Sequence, residues 1–281
     1  MIDLKGHLRT ILMMAVIAAI VMCCSPICQA KTNAKNAPFT VVIDAGHGGK
    51  DVGAKGKKTN EKSINLKVAL ALGRMIEKKY SKKEVKVVYT RDGDYFVTLQ
   101  GRCNKANKAD GNLFISIHCN SVDEKSPRRN TVNGASVYTL GLSRSKENLE
   151  VAKRENSVMM LEPDYTTTYC GFDPNSAESY IVFEMNQNRH LNQSIKFAAL
   201  AQQQLVSHAG RADKGIRQDI FWVLVHTGMP AVLIELDFIC NPTVEKYMMS
   251  DKGIDQMSSA IFNAFSEYYR SAKKAAKASS N

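Results

Sequence analysis

Two histidines and two glutamates are the residues of this chain whose types and positions suggest chemistry. They lie in the segments VVIDAGHGGKD (His47), NEKSINLKVALAL (Glu61), LFISIHCNS (His118) and MPAVLIELDFICN (Glu235). His47, His118 and Glu235 follow short apolar runs typical of buried strands, and ligands gather beyond the carboxyl ends of strands in open α/β sheets. Two imidazoles and one carboxylate form a three-ligand zinc set with one open position, typical of catalytic sites. The remaining carboxylate would then be available as a base.

Each of these residues also has a purely structural interpretation. His47 can be a hydrogen-bonded histidine in a glycine turn, and His118 can bond to a neighbouring loop. Glu61 can be a first-turn glutamate stabilised by the helix dipole. Glu235 is harder to explain in this way, because it follows four apolar residues. A carboxylate at such a buried place needs a partner, a metal ion or a raised pKa.

The spacing of apolar residues along the chain predicts the strands and helices that position these residues. We predict strands at 39–43, 85–90, 113–117, 134–140, 221–225 and 231–236, and helices at 61–80, 99–109, 193–209 and 244–270. This alternation predicts an α/β fold, a single domain with a central mostly parallel twisted sheet flanked by helices on both faces. Residues 144–193 are weakly patterned, with helical pieces such as 146–161, and such a length inside a compact domain is typical of a functional insertion.

The first thirty residues have the pattern of a secretory signal peptide. Basic residues, a short apolar run and small residues at the cleavage position make up this pattern: Lys5, Arg9, Ile11–Met22, Cys28 and Ala30. We therefore expect a signal peptide over 1–30, a flexible lead-in over 31–38, and a periplasmic or secreted product that meets the membrane only during export. An uncleaved anchor is the alternative, and lipidation of Cys23, Cys24 or Cys28 is less favoured than simple cleavage.

The net charge of +11 suits an anionic surface or polymer as the partner. Nucleic acid is not expected as that partner, because the chain is predicted to be exported. Four cysteines remain after the predicted cleavage, and their even number permits disulfides without requiring any. We interpret them as small core residues: Cys103, Cys119, Cys170 and Cys240.

Five ordered segments resemble the zinc-dependent N-acetylmuramoyl-L-alanine amidases, the bacterial cell-wall amidase family. They are IDAGHGGKDVGAKG, NEKSINL, VVYTRDGDYFVTLQGRCNKAN, LFISIHCNS and GIRQDIFWVLVHTGMPAVLIELDFICNP. The resemblance implies that His47, Glu61 and His118 bind Zn²⁺ and that Glu235 is the catalytic residue. Asp237 departs from the family, which commonly has glycine after Glu-Leu.

The resemblance also implies the reaction, hydrolysis of the amide between N-acetylmuramic acid and L-alanine in peptidoglycan. We expect this activity, in cell-wall remodelling or daughter-cell separation, from a catalytic domain over 39–270 with a basic tail at 271–281. One rival is an exported zinc carboxypeptidase acting on stem peptides, for which a positive group is available from Arg91, Arg102 or Arg217. A second alternative is a non-catalytic wall-binding protein on the same fold. A third is a glycosidase with two catalytic carboxylates, in which neither histidine would have a catalytic role.

The insertion at 144–193 has a regulatory interpretation. Some amidases of this family carry an inserted helical segment that lies over the zinc cleft until an activator protein displaces it. We expect 144–193 to shield the site in the same way, with Glu178 or Glu184 as a fourth zinc ligand at rest. The alternative is that 144–193 is a surface loop in which the Glu184 side chain is exposed to solvent.

Overall fold

A computed structural model describes residues 37–142, 145–183 and 190–278 of the chain. The residues from Pro38 onward form one compact unit. The predicted signal peptide and nearly all of the predicted lead-in lie outside the described residues, as does Glu184. No helix within the described ranges is both long enough and apolar enough to cross a membrane.

Six strands form one sheet in the order β2-β1-β3-β6-β4-β5. The strands are β1 (Phe39–Ala45), β2 (Val85–Tyr89), β3 (Leu113–Asn120), β4 (Ala135–Leu140), β5 (Asp213–Asp219) and β6 (Ala231–Phe238). All neighbouring pairs are parallel except β4 and β6, which run antiparallel. The sheet is therefore mostly parallel, as the sequence predicts.

Helices cover both faces of this sheet. They are α1 (Glu61–Lys79), α2 (Leu99–Lys108), α3 (Lys146–Asn156), α4 (Tyr165–Thr168), α5 (Ala177–Phe183), α6 (Leu191–Ser207), α7 (Trp222–Val225), α8 (Pro242–Met249) and α9 (Asp251–Ala278). A 3₁₀ helix, Ser157–Leu161, follows α3 directly. On one face α1, α6 and α9 pack together over the strands. On the other face lie α2, α7 and the insertion.

The insertion is part of the core of this second face. Val151 and Ala152 of α3 are buried there against sheet residues such as Leu233. Further along, an aromatic group forms around Trp222, whose ring centroid lies 4.6 Å from that of Tyr169 in an edge-to-face arrangement. Aromatic pairs of this geometry stabilise a fold beyond the area that they bury. The described residues 145–183 of the insertion thus form a packed lobe with short helices.

One strand prediction is wrong. Residues 221–225 form the helical turn α7, and the strand in this part of the chain is β5, over the polar sequence DKGIRQD. A short apolar run cannot be distinguished from a buried helical segment by periodicity alone. β5 gives no apolar signal because it is an edge strand that pairs only with β4.

The carboxyl-terminal helical region also differs from the prediction. The predicted helix over 244–270 is divided at Ser250, between α8 and α9, and α9 continues to Ala278 through most of the predicted basic tail. All four described cysteines are free thiols. Three are buried as predicted, but Cys170 is exposed.

Candidate metal centre

Four buried side chains meet beyond the ends of β1 and β3: His47, Glu61, His118 and Glu155. One ligand atom from each lies within 4.8 Å of all the others. The Nε2 atom of His47 is 3.2 Å from Glu61 Oε2 and 3.0 Å from Glu155 Oε2. The Nδ1 atom of His118 is 3.0 Å from Glu61 Oε1 and 2.8 Å from Glu155 Oε2. Two imidazole nitrogens and two carboxylates therefore surround one point.

The chemistry of this donor set fits a divalent metal ion. Histidine nitrogen and carboxylate oxygen are among the ligands that zinc takes in tetrahedral sites. His47 Nε2 and Glu155 Oε2 are buried 3.0 Å apart, but neither atom forms a well-directed hydrogen bond within the described residues. Buried polar atoms without partners are rare in proteins, and an ion between them satisfies both. The residues present thus fit the metal that the resemblance implies.

The strands and α1 bring the three predicted ligands together. His118 lies on β3, whose backbone is buried throughout, and Glu61 is the first residue of α1. Asn60 caps that helix by accepting a hydrogen bond from the Ser63 amide. Glu61 Oε1 also accepts a hydrogen bond of 2.8 Å from the backbone amide of Cys119. The carboxylate is therefore held by the end of the neighbouring strand as well as by its own helix.

His47 sits in a strained turn after β1. Its φ is 62°, in the left-handed region that residues other than glycine seldom adopt. Such strain is typical of functional sites whose surroundings enforce it. The adjoining Gly46 is required for space, because a Cβ atom there would lie 2.3 Å from the His118 ring. At Gly53 a Cβ atom would lie 2.6 Å from the His47 ring, and φ there is +65°.

A second layer of polar contacts fixes this turn. Asp51 Oδ2 lies 2.7 Å from His47 Nδ1, which orients the imidazole so that Nε2 faces the cluster. Arg102 donates to the His47 carbonyl over 2.7 Å and forms a buried ion pair of 2.6 Å with Asp44. Arg91 donates to four backbone carbonyl groups, those of Ala45, Gly46, Lys62 and Gly93. Both arginines are buried and fully engaged, so neither is available to bind the terminal carboxylate of a carboxypeptidase substrate.

Glu235 lies beside the cluster. It is the register partner of His118 on the adjacent parallel strand β6, and it is completely buried. Its Oε1 atom accepts a hydrogen bond of 3.3 Å from Arg154 Nη2, whereas Oε2 has no hydrogen-bond partner within the described ranges. Burial and the nearby Glu155 carboxylate raise the pKa of Glu235 to about 8, although Arg154 acts in the opposite direction. A carboxyl group with such a pKa can both accept and donate a proton near neutrality.

The electrostatics of the cluster favour bound positive charge. Burial lowers the pKa of His118, but the carboxylates of Glu155 and Glu61 outweigh it and raise the pKa to about 9. Burial likewise opposes the charge on His47, yet Glu61, Asp51 and Glu155 raise its pKa well above the usual value. The same carboxylates that stabilise imidazolium here would stabilise a divalent cation in its place.

Glu155 was missed by the sequence analysis. The structure places Glu178 at the surface instead, where its carboxylate accepts a hydrogen bond of 2.6 Å from Ser176. The fourth carboxylate comes from α3, at the start of the insertion. A signal was present in the sequence, because Asn148, Val151, Ala152 and Glu155 share one face of α3 at spacings of three and four, and all are buried.

Two other residues singled out by the sequence take no part in the cluster. Asp237, the departure from the family pattern, is held in an ion pair of 2.9 Å with Arg211 and accepts a hydrogen bond from the Gly134 amide. Cys119 is buried, and its thiol donates to Asn65 Oδ1 at 3.3 Å. Burial and nearby carboxylates raise the pKa of this thiol well above its usual value, so it is not a nucleophile.

The sheet and the buried His/Glu cluster at the ends of its strands define an α/β domain with a candidate metal site. Residues 41–267 match the family Amidase_3, described as N-acetylmuramoyl-L-alanine amidase, and the chain belongs to this family.

Curated proteins with similar sequences are also named N-acetylmuramoyl-L-alanine amidases. The chain is 28% identical over 239 residues to the N-acetylmuramoyl-L-alanine amidase AmiC of Escherichia coli, covering 84% of this chain and 54% of the relative. It is 29% identical to the amidase LytC of Bacillus subtilis, covering 82% of this chain and 36% of the relative. The chain thus spans about half, or about a third, of the length of these curated relatives.

Solved structures share the fold. The catalytic domain of the amidase CwlV from Bacillus (Paenibacillus) polymyxa has a TM-score of 0.59 and 28% identity, and the match covers 82% of this chain and 97% of that domain. The match covers nearly the whole of an isolated catalytic domain. The part of this chain that it covers therefore has the fold of an amidase catalytic domain.

Proposed function

We propose that this protein is a zinc-dependent N-acetylmuramoyl-L-alanine amidase, which hydrolyses the amide between N-acetylmuramic acid and L-alanine in peptidoglycan. The observation that carries the proposal is the meeting of His47, Glu61 and His118 at one point, with Glu235 beside them on the neighbouring strand. The family match supports the choice of this amide over the other bonds of the polymer.

In this proposal His47, Glu61 and His118 hold the ion, and the strained turn and its arginine contacts keep the ligands in place. A bound zinc ion supplies Lewis acidity, which acidifies water and polarises a carbonyl group. The three ligands come from three different elements, so the site exists only in the folded chain. Asp51 acts behind His47 by fixing the orientation of its ring.

Glu235 is the proposed general base and general acid. It takes a proton from the attacking water and then delivers it to the nitrogen of the departing L-alanine amine. Its place beside the cluster supports this role, because Glu235 is the register partner of His118 and its Oε2 atom has no hydrogen-bond partner within the described residues. No serine or cysteine nucleophile is needed, which agrees with the buried, hydrogen-bonded state of Cys119.

We further propose that the insertion shields this site in the resting protein. Glu155 brings a fourth ligand atom to the cluster, and it would fill the position that a catalytic zinc ion leaves open for water. Arg154, its neighbour on α3, bridges Glu155 Oε1 at 2.9 Å and Glu235 Oε1 at 3.3 Å. One helix thus engages both the metal site and the proposed base, and an activator protein acting on 144–193 would have to move it.

The cellular setting is also a proposal. The basic residues and apolar run of the first thirty residues support export, and hence a periplasmic or secreted enzyme of cell-wall remodelling or daughter-cell separation. Peptidoglycan is an anionic polymer outside the cytoplasm, which suits the net charge of +11.

Product analysis tests the function directly. Purified peptidoglycan is digested with the Glu155→Ala variant, which lacks the proposed shield, and the released material is identified by mass spectrometry. An amidase releases intact stem peptides with a new L-alanine amino terminus and leaves the glycan strands uncut. Release of single carboxyl-terminal residues would establish a carboxypeptidase instead, and new reducing sugar ends would establish a glycosidase.

A further inference from the structure

A groove of about 820 Å³ opens beside the metal centre. Its walls are the turn around Gly53, the segment 120–132 after β3, the start of β5 and the exposed side of α3. Pockets that bind small ligands have volumes of about 300–1,000 Å³, so the groove can hold a peptide of a few residues.

The groove adjoins the proposed reacting groups, because residues that line it contact Glu61 and Glu235. Gly53 lines it, and a Cβ atom at Gly53 would lie 2.7 Å from Glu61 Oε2. Arg154 also lines it, and the guanidinium of Arg154 contacts Glu235. The groove therefore lies next to the place where Glu235 would deliver a proton to the leaving amine.

The walls of the groove are rich in positive charge. Six cations line it besides Arg154, against four carboxylates, and these cations are Lys55, Arg128, Arg129, Lys146, Lys214 and Arg217. The lysines have no ion-pair partner among the residues that the structure describes. Two of the arginines bond to the main chain of lysines in the same walls, because Arg129 donates to the Lys55 backbone carbonyl at 3.5 Å and Arg217 donates to the Lys214 backbone carbonyl at 3.0 Å.

We propose that this groove binds the stem peptide of the substrate and that Lys55 and Lys214 bind its free carboxylates. The proposal rests on the amidase function above, and it names the part of the substrate that the site recognises. Amino groups of lysine and guanidinium groups of arginine form strong, charge-assisted hydrogen bonds with carboxylates. A peptide is favoured over an acidic protein surface because the groove adjoins Glu235 and Glu61.

Helix α3 occupies part of the same positive surface in the resting state. Arg217 donates to Asn148 Oδ1 at 2.8 Å, and Arg128 contacts the Glu147 carboxylate at 3.3 Å. Two of the cations are therefore already partnered by the insertion. Lys55 and Lys214 are exposed and unpaired within the described ranges, so they are available to a peptide while the insertion remains in place.

The test uses calorimetry to measure peptide binding to the protein that lacks residues 1–30. The probe is the tripeptide L-alanyl-γ-D-glutamyl-L-lysine with free carboxylates, compared with the same peptide carrying amidated carboxyl groups. We expect Lys55→Ala with Lys214→Ala to weaken binding of the free-carboxylate peptide about tenfold or more. The amidated peptide should bind weakly and equally to both proteins. Lys57→Ala, an exposed change two residues from Lys55 and outside the groove, should leave the affinity unchanged.

Three results would overturn the proposal: no binding of the free-carboxylate peptide to the unmutated protein, equal binding of the amidated peptide, or an unchanged affinity in the double variant. Digestion of peptidoglycan by the same proteins carrying the additional Glu155→Ala change, which removes the proposed shield, separates this failure from failure of the proposed function. Intact amide hydrolysis combined with any of these results rejects only the groove as the peptide site. Loss of peptide binding together with absence of hydrolysis in the unshielded Glu155→Ala protein rejects the groove and the amidase function together.

Discussion

Replacing Glu235 by glutamine is expected to lower amide hydrolysis by a factor of about 10² to 10⁴, the usual contribution of a general acid–base group. Glutamine keeps the size of the side chain and can still accept a contact from Arg154, but it cannot take a proton from water. The rate of stem-peptide release is measured in the Glu155→Ala background, so that shielding does not mask the effect.

Metal content is measured on the same preparations. The zinc content of the Glu235→Gln variant should equal that of its parent, because Glu235 is not part of the four-residue cluster. Glu267→Gln is the matched control, since Glu267 is an exposed glutamate on α9. A Glu235→Gln protein that binds zinc and hydrolyses peptidoglycan at the parental rate would exclude Glu235 as the proton-transfer group.

Replacing Glu155 by alanine is expected to raise the hydrolysis rate of the full chain by about tenfold or more. A shield that closes the site leaves only a minor open population, typically about 0.1–10% of the molecules, so removing its main contact can raise the active fraction by this amount. Glu155 is the group of α3 that lies within 3.0 Å of both histidines. Its loss also leaves Arg154 without its 2.9 Å partner.

Glu178→Ala supplies the control for this change. Glu178 is an acidic residue of the same insertion, but it is exposed and contacts Ser176, so its loss should leave the rate unchanged. Unfolding by urea checks that both variants retain the stability of the parent protein. Unchanged or lower activity in a well-folded Glu155→Ala protein would contradict shielding, and Glu155 would then be a ligand required for activity.

The fold and much of the site could be predicted because the parallel strands are buried on both faces. β1, β3 and β6 have almost no solvent-exposed residues, so each is a continuous apolar run in the sequence. His118 and Glu235 interrupt two of these runs near their carboxyl ends, and the register of β3 with β6 makes them direct neighbours. A polar residue at such a position indicates a functional site, because burying a charged group costs free energy unless the group is paired or binds a metal ion.

The parts that could not be predicted depend on contacts between distant segments. Glu155 lies in a helix whose other residues are mostly polar, and only its position on the packed side of α3 distinguishes it from Glu147 and Glu150. Which glutamate of the insertion approaches the histidines is decided by how the lobe packs against Trp222 and the sheet. β5 was missed for a similar reason, since an exposed edge strand needs no apolar pattern.

Zinc content, measured by mass spectrometry of the purified protein, is the most direct test of the site. One zinc ion is expected per chain in the unmutated protein, and a chelator should remove it together with the amidase activity, with both restored by added zinc. Little or no bound zinc is expected when His47 and His118 are both replaced by alanine. If the double variant folded normally and retained one zinc per chain, the ion would have to be held elsewhere and the proposed centre would be wrong.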